Sequence, residues 1–348
     1  MSRPLGVGII GAGPVTQAIH LPTLATLYDH FRVVHIMDIN AEVAEDLAAR
    51  SGARSTTDVQ VLLDDPDVDV VAICSPHQFH ADQVEAAARA GKRAILCEKP
   101  LATTVEEAQR IADVSASSGI PVVVGAMHVH DPAVAAASLA WGDLSEDVSL
   151  VRVVVYLPSN DDLVALATEL TVAAAPPPLP ASSAALSGPA LWAAGVRGGI
   201  LGLATHNLPL VRRFAPTVDE VLSAGYLNPW GYELTFRSGG TAVQLIAVLP
   251  GQWRPDWSMH VFGSRSELHV QFPPSYVLAG SATSTLSTSE SQSVWQYPVN
   301  GYQQEWLHLS DVVNGRAELE PPVQTAVDDL LYALHLADGA DTLILEAR

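Results

Sequence analysis

The chain has 348 residues, of which 48% are hydrophobic and 16% are charged. At roughly 100–200 residues per domain, this length predicts two domains with sizeable cores and argues against long disordered regions. The 38 acidic and 18 basic residues give a formal charge of −20. That sign is opposite to the one that neutralises nucleic-acid phosphates, and it also disfavours binding to anionic membranes.

The cysteines and the start of the chain also bear on which kinds of protein are expected. Cys74 and Cys97 both lie in apolar runs, which indicates two buried thiols and argues against a disulfide framework. Met1–Gly6 lacks the basic stretch and long apolar core of an export signal. No apolar run reaches the length of about 18 residues that a membrane span requires. We therefore expect a cytoplasmic protein.

The first third of the chain alternates apolar runs with helical patterns. The apolar runs predict five strands, at Leu5–Ile10, Arg32–Met37, Val68–Cys74, Arg93–Cys97 and Pro121–Val124. The patterns between them predict helices over Pro14–Tyr28, Ala41–Ser51, Val59–Leu63, His80–Ala90 and Val105–Ser117. Continuously apolar strands that alternate with helices are typical of a doubly wound parallel sheet. We predict an α/β domain of this kind over residues 1–126.

The pattern changes after about Gly125. Alternating strand patterns follow at Leu150–Leu157, Glu220–Ala224, Gly231–Phe236, Ala242–Leu249, Met259–Gly263 and Glu267–Phe272. Helices are predicted over Gly198–Phe214, Gln303–Val313 and Val323–Ala340. Ala173–Ala194, rich in Pro, Ala and Ser, is predicted to be a loop or lid, and Ser281–Ser293 an exposed loop. Residues 127–348 thus predict an α+β domain with a large open, mostly antiparallel sheet.

The first strand ends in a glycine loop that opens a helix. Gly11 allows a tight turn, and Gly13 allows backbone N–H groups to approach a pyrophosphate at the helix amino terminus. Pro14 and Val15 occupy the first turn, and Thr16 stands where this motif usually has a third glycine. An ordinary tight turn is the alternative, but the surrounding alternation favours a dinucleotide-binding Rossmann domain.

Asp38 ends the second predicted strand, about 20 residues beyond the glycines. At this place a carboxylate accepts hydrogen bonds from the adenosine ribose and repels a 2′-phosphate, so the cofactor predicted is NAD and not NADP. Taken alone, Asp38 could instead be a helix cap or turn residue, which is the less favoured alternative.

Lys99 follows the fourth predicted strand, at the edge of a parallel sheet where ligands bind. A lysine beside a nicotinamide can donate a hydrogen bond to a substrate oxygen, although a single loop lysine is more often a solvated charge. Its bond to Pro100 is a candidate cis peptide.

The chain resembles the glucose–fructose oxidoreductase/inositol dehydrogenase (Gfo/Idh/MocA) family in motifs spread over most of its length. The matching pieces are Gly11-Ala12-Gly13 with His20, Ser75-Pro76 with His80, Glu98-Lys99-Pro100, Gly198-Gly199 with His206, and the run from Trp306 through Gly315 to Ala337. The resemblance implies NAD(P)-dependent redox chemistry on a sugar, cyclitol or related hydroxy compound. It also implies a homodimer or homotetramer built on the open sheet.

The resemblance also implies roles for particular residues. Lys99 would be the catalytic lysine and His206 the acid/base histidine. Glu98 would approach the nicotinamide ribose, and Ser75, Pro76, His80 and Lys99 would belong to the cofactor site. The substrate would meet Lys99, His206, His128 and Asp161.

The chain departs from the family pattern near His206. The family usually carries an Asp one helical turn before this histidine, where Gly202 stands, and another one turn after it, where Pro209 stands. Residues four apart share a helix face, so an Asp there could orient the imidazole. Asp161 and Asp162 are candidate replacements, and without a family context His206 would be read as a core histidine. At His128 and Val129 the family commonly has Arg.

Two further groups of residues carry weaker signals. His128 and His130 would share one face of a strand end beside Asp131, but two such ligands are too few for a metal site, and no metal is predicted. Trp230, Trp253 and Trp257 are predicted to be core or interface anchors and not sugar platforms.

Three hypotheses for the function follow. The first is an NAD-dependent oxidoreductase with Lys99 and His206 as its catalytic pair. The second, motivated by Gly202, is a non-catalytic NAD-binding sensor or assembly protein. The third is non-redox chemistry with transient use of bound NAD.

Overall fold

The computed structural model describes residues 3–142, 148–172, 187–250 and 254–347. They form two sheets with helices packed on them. The segment 173–186, which holds most of the predicted lid, and Trp253 lie outside the described residues.

The first sheet has six parallel strands in the order β3-β2-β1-β4-β5-β6. They are β1 Leu5–Ile10, β2 Phe31–Met37, β3 Arg54–Thr56, β4 Val70–Ile73, β5 Ala94–Glu98 and β6 Val122–Gly125. Every residue of β1, β4 and β5 is buried, as expected for strands covered on both faces. The predicted doubly wound sheet is confirmed, and β3 is an edge strand that its short polar sequence did not indicate.

The helices around this sheet begin and end at local sequence signals. They are a π-helical turn Thr16–His20, α1 Leu21–Thr26, α2 Ala41–Ser51, α3 Val59–Leu63, a 3₁₀ turn His77–Phe79, α4 His80–Arg89 and α5 Val105–Ser118. Asn40 caps α2 at its start, and Gly52 ends it at φ 66°. The first predicted helix is confirmed from Pro14 to Thr26, with a π-helical stretch at Thr16–His20.

The second sheet has eight strands in the order β14-β13-β12-β11-β7-β10-β9-β8. They are β7 Val148–Tyr156, β8 Glu220–Tyr226, β9 Trp230–Ser238, β10 Thr241–Leu249, β11 Asp256–Gly263, β12 Ser266–Gln271, β13 Thr283–Thr288 and β14 Gln292–Trp295. Its pairs are antiparallel except for β7 and β10, which run parallel. The large, mostly antiparallel sheet is therefore confirmed.

The exposed loop predicted over Ser281–Ser293 was wrong. This stretch contains β13 and the start of β14, and β13 pairs with β12 along its whole length. Ser284 and Leu286 point inward, while Thr285 between them is more exposed. Because serine and threonine are both polar, a hydrophobicity pattern does not detect this alternation. Pairing with β12 stabilises the β13 strand.

The remaining helices are α6 Pro132–Trp141, α7 Asn160–Ala167, α8 Pro189–Gly202, α9 Leu208–Val211, α10 Gly301–Val313 and α11 Val323–Glu346, with a 3₁₀ turn at Ala204–His206. The part of the predicted loop from Pro189 onward is helical, because Pro189 occupies the first turn of α8. The single helix predicted over Gly198–Phe214 was also wrong: α8 ends at Gly202, and α9 begins after the 3₁₀ turn.

The two closing helices connect the sheets. Trp306 and Leu309 of α10 are buried with the β1 side chains, and Val327 of α11 is buried against the opposite face of the first sheet. The carboxyl-terminal half of α11 packs in the core of the second sheet, including Leu336. Within the described residues, no helix has both the length and the apolar character to cross a membrane.

Candidate functional site

A cleft of about 760 Å³ lies at the carboxyl ends of the first-sheet strands, where open parallel sheets bind ligands. The lining residues come from the glycine loop, the end of β2, the end of β4 and a segment of the second domain. They are Ile10, Gly11, Ala12, Gly13, Pro14, Gln17, Met37, Asp38, Ile39, Asn40, Val43, Cys74, Ser75, Pro76, Phe79, Gln83, Leu170, Thr171 and Val172. The cleft thus brings together Gly11, Gly13, Pro14, Asp38, Ser75 and Pro76 as predicted.

The glycine loop is shaped by its neighbour Cys74. Gly11 has φ +96°, and a Cβ on it would lie 2.8 Å from the Cys74 carbonyl carbon and oxygen. Cys74 itself is half-buried at the cleft, whereas Cys97 is fully buried, so only one of the two thiols is enclosed as predicted. Thr16 fits in place of a third glycine because its hydroxyl donates to the Gly11 carbonyl at 2.6 Å.

Asp38 holds the glycine loop against α2. One carboxylate oxygen accepts from the Ala12 N–H at 2.8 Å, and the other accepts from the Asn40 N–H at 2.9 Å. Among the described residues that line the cleft, Asp38 is the only charged one. A carboxylate has about four acceptor positions, so Asp38 can still accept hydroxyl groups of a ligand.

Four predicted cofactor residues lie outside the cleft lining, namely Val15, His80, Glu98 and Lys99. His80 is buried, with its ring nitrogens 2.9 Å from the Ser75 carbonyl and 3.1 Å from the Pro100 carbonyl. It thereby connects the two loops that follow β4 and β5. Val15 precedes the π-helical turn, and Glu98 lies at the buried end of β5. The bonds of His80 to the Ser75 and Pro100 carbonyls position these loops.

Glu98 is held by a buried hydrogen-bond chain. Trp306 Nε1 donates to His20 Nδ1 at 3.2 Å, and His20 Nε2 lies 2.9 Å from Glu98 Oε1. Because an indole only donates, His20 Nδ1 is the acceptor and the Nε2–H group donates to Glu98. Although burial opposes it, the bond from His20 and the Lys99 charge lower the pKa of Glu98. Gly125 leaves room for this carboxylate, because a Cβ there would lie 2.9 Å from Oε1.

A second buried carboxyl, Glu305 of α10, accompanies this chain. It is fully buried, and neither of its carboxyl oxygens has a hydrogen-bond partner within the described parts of the chain. Burial, together with the nearby charge of Glu98, raises the pKa of Glu305 well above its usual value of 4.5. The Glu305 carboxyl group is therefore neutral in the folded protein at pH values where an exposed glutamate is ionised.

The substitution Glu305→Gln is expected to remove a pH dependence of stability. Above pH 4.5 the unfolded glutamate releases its proton while the folded one keeps it, so wild-type stability falls as pH rises toward the folded pKa. Gln has no proton to lose in this range. The free energy of unfolding of the variant should therefore rise relative to that of the wild type by up to about 1.4 kcal/mol per pH unit in that window. Urea unfolding from about pH 5 to about pH 8 measures this difference. A difference that stays constant across this range would contradict the assignment.

Lys99 follows Glu98 at the carboxyl end of β5, after which the Lys99–Pro100 peptide bond is cis. Its ammonium donates to the Gly202 carbonyl at 3.4 Å, a long hydrogen bond. Burial lowers the pKa of Lys99, and Glu98 opposes this effect. Within the described residues, the half-buried Lys99 ammonium therefore has this one weak hydrogen bond.

His206 lies in the 3₁₀ turn and close enough to Lys99 to be affected by its charge. Burial, with the Lys99 charge as a further cause, lowers the pKa of His206 well below 6.5. His206 Nδ1 lies 3.1 Å from the Met127 sulfur, and the ring packs edge-on against Trp257. Since a thioether only accepts, Nδ1 carries the hydrogen and Nε2 keeps a free lone pair.

The predicted helical relation between Gly202 and His206 was wrong, because the helix ends between them. Gly202 nevertheless stays in the site, through its carbonyl bond to Lys99. A Cβ at Gly202 would meet no atom within 4 Å, so the position faces open space.

The predicted pairing of His128 with His130 was wrong as well. Both follow β6 in turns, not on a strand. His128 stacks on Phe272 at 3.8 Å and contacts Trp257, whereas His130 lies near His308. Burial lowers the pKa of His128 to about 3 and that of His130 to about 4. The described chain contains no group of three or more His, Cys, Asp or Glu side chains arranged for a metal ion.

The acidic candidates near the site divide into two kinds. Asp131 is structural, because its carboxylate caps α6 and accepts from the Ala282 N–H at 2.8 Å. Asp161 and Asp162 lie exposed in the first turn of α7, and Asp162 bonds to Ser159 there. The negative charge of Asp161 contributes, with burial and Glu98, to a raised pKa of Tyr276.

Comparison with known proteins finds relatives of the first domain. Residues 5–126 match the family model GFO_IDH_MocA, described as an oxidoreductase family with an NAD-binding Rossmann fold. Inositol 2-dehydrogenase 2 from Saccharopolyspora erythraea is 39% identical over 130 residues, 37% of this chain and 38% of that protein. Levoglucosan dehydrogenase from Pseudarthrobacter phenanthrenivorans is 38% identical over 141 residues, 38% of this chain and 36% of that protein. The match thus spans little more than a third of these relatives.

Solved structures match over nearly the whole chain. An oxidoreductase from Thermotoga maritima has a TM-score of 0.73 at 19% identity and covers 97% of both chains. A 3-ketoreductase from Actinomadura kijaniata, crystallised with NADP, has a TM-score of 0.69 at 16% identity, again over 97% of both chains. This likeness shows that both domains share the fold of these proteins.

Proposed function

We propose that this chain, whose amino-terminal domain belongs to the Gfo/Idh/MocA oxidoreductase family, is an NAD-dependent oxidoreductase. It would move hydride to or from a carbon of a sugar, cyclitol or related hydroxy compound. One observation carries the proposal: Lys99 lies at the same sheet edge as the glycine loop, and its long bond to the Gly202 carbonyl brings it to the segment that holds His206. The dehydrogenases of inositol and levoglucosan among its relatives support the substrate class.

The residues of the cleft fit a dinucleotide. Gly11 and Gly13 bring the backbone to its surface, and Asp38 offers acceptors for ribose hydroxyl groups. When bound, the nicotinamide supplies the hydride chemistry. Lys99 would exchange its long bond to Gly202 for one to the substrate oxygen. In the oxidation direction, His206 Nε2 would accept the hydroxyl proton as hydride leaves the same carbon.

The orientation of His206 needs no carboxylate at position 202 in this proposal. The sulfur of Met127 accepts from Nδ1, and Trp257 packs against the ring. Trp257 is itself fixed, because its Nε1 donates to Asn207 at 2.7 Å. These contacts would keep Nε2 directed at the substrate, the function that an Asp at Gly202 would otherwise serve.

NAD is the cofactor proposed, because Asp38 is the only charged residue among the described lining residues and would repel a 2′-phosphate. The substitution Asp38→Ser is expected to lower the ratio of kcat/KM with NAD to kcat/KM with NADP by about 10- to 100-fold, through loss of a charged acceptor. Asp58→Ser, which changes an exposed cap of α3, is the matched control and should leave the ratio unchanged. A wild-type preference for NADP would refute the assignment.

Gly202 favours a second candidate function, a non-catalytic NAD-binding sensor or assembly protein. The two are separated by screening sugars, cyclitols and hydroxy acids with NAD while following nicotinamide absorbance. Turnover of any of them supports the oxidoreductase and overturns the sensor. Tight NAD binding with no turnover across the screen supports the sensor.

A further inference from the structure

A short segment of the second domain crosses to the first and forms one wall of the dinucleotide cleft. It comprises residues 168–172, directly after α7, and is called the strap below. Its residues Leu170, Thr171 and Val172 line the cleft together with Asp38 and Val43. The side chains that line the cleft therefore come from two domains.

Gln17 attaches the strap to the glycine loop. Its side-chain Nε2 donates to the Thr171 carbonyl at 3.0 Å, and its Oε1 accepts from the Thr171 N–H at 2.8 Å. The same Nε2 donates to the Ala12 carbonyl at 2.8 Å. Gln17 is only 5% exposed, so these bonds are shielded from water. One amide thus connects the strap to the loop expected to hold the pyrophosphate.

Two residues of α2 attach the strap at a second point. The Thr171 hydroxyl donates to Asp46, and Arg50 donates to the same hydroxyl at 2.6 Å. Arg50 also donates to the Glu169 carbonyl at 3.1 Å and forms an ion pair with Asp46 at 2.7 Å. Thr171 is therefore bonded through its backbone to Gln17 and through its side chain to α2.

We propose that the strap covers the adenosine half of the bound dinucleotide and that its release from Gln17 and α2 limits cofactor dissociation. The inference rests on the proposed function, since it requires NAD in this cleft. Asp38, which would bind the adenosine ribose, and the strap line the same cleft, so a dinucleotide between them is enclosed by both domains. Arg50, Asp46 and Gln17 act as positioning residues, because they hold the strap.

Stopped-flow measurement of NADH release tests this inference. NADH is bound to the full chain, excess NAD⁺ displaces it, and energy transfer from tryptophan reports the dissociation rate. Arg50→Met and Thr171→Val are each expected to increase this rate about tenfold, because each removes two strap bonds. Arg89→Met is the matched control: Arg89 also pairs with an acid one turn earlier on its helix, but on α4, away from the strap. It should leave the rate unchanged.

The outcomes separate this inference from the proposed function. Partial misfolding of a variant lowers the amplitude of the signal but not its rate constant, so the rate remains interpretable. Dissociation at the wild-type rate in both Arg50→Met and Thr171→Val overturns the role of the strap and leaves NAD binding standing. A wild-type protein that binds no NADH overturns both.

Discussion

The substitution Lys99→Met is expected to lower kcat by about two to four orders of magnitude while NADH affinity changes little. Met keeps the length and apolar stem of lysine but cannot donate to the substrate oxygen. The protein should remain folded, because the one hydrogen bond of the ammonium within the described residues is the long bond to the Gly202 carbonyl. Steady-state kinetics on a substrate found by screening, with NADH titration alongside, measures both quantities.

The pH profile provides a second readout of the same variant. Activity of the wild type should fall at high pH as Lys99 loses its proton, at a pH below 10.5 because burial lowers its pKa. Lys99→Met should lose this alkaline limb. The matched control is Lys92, the other of the two lysines, which donates to the Asp65 and Val68 carbonyls. Lys92→Met should lower stability and keep the alkaline limb. Full turnover by Lys99→Met would exclude the catalytic role.

Most of the first domain could be predicted from sequence because the signals that define its strands and helices lie within a few residues of each element. Continuous apolar runs, caps such as Asn40 and terminal glycines such as Gly52 each act within a few residues. Gly11, Gly13 and Asp38 follow from the same local pattern, and the structure places all three at one cleft. The implied dimer or tetramer, which depends on contacts between chains, stays a prediction.

The parts that sequence reasoning missed depend on distant contacts. His20 and Trp306 are 286 positions apart, and Gln17 and Thr171 are 154 apart. No periodicity in the sequence links such residues, so the sequence predicted neither the strap nor the hydrogen bonds that hold Glu98. Glu305 resembles an ordinary helix-surface glutamate in sequence, and only its burial distinguishes it. The helix break before His206 is signalled weakly, by Gly202 and Pro209, but a helical pattern on both sides concealed it.

The substitution Gly13→Ala is expected to weaken NAD binding by about 10- to 100-fold without destabilising the fold. A Cβ at Gly13 would meet no atom of the protein within 4 Å, and the residue has no positive φ, so the chain can accept alanine. The methyl group would instead occupy the surface on which the pyrophosphate is expected to lie. Calorimetric titration with NAD and thermal unfolding of the free protein measure the two effects separately.

Gly11→Ala is the matched comparison, because it should show the opposite pattern in the free protein. Gly11 has φ +96°, and its Cβ would lie 2.8 Å from the Cys74 backbone, so alanine there should lower the melting temperature before any cofactor is added. Gly119→Ala measures the loss of stability caused by positive φ alone, since a Cβ at Gly119 would meet nothing within 4 Å. If Gly13→Ala instead binds NAD as the wild type does, the pyrophosphate does not approach the chain at Gly13. The glycine loop would then serve only to let the chain pass close to the Cys74 backbone at Gly11.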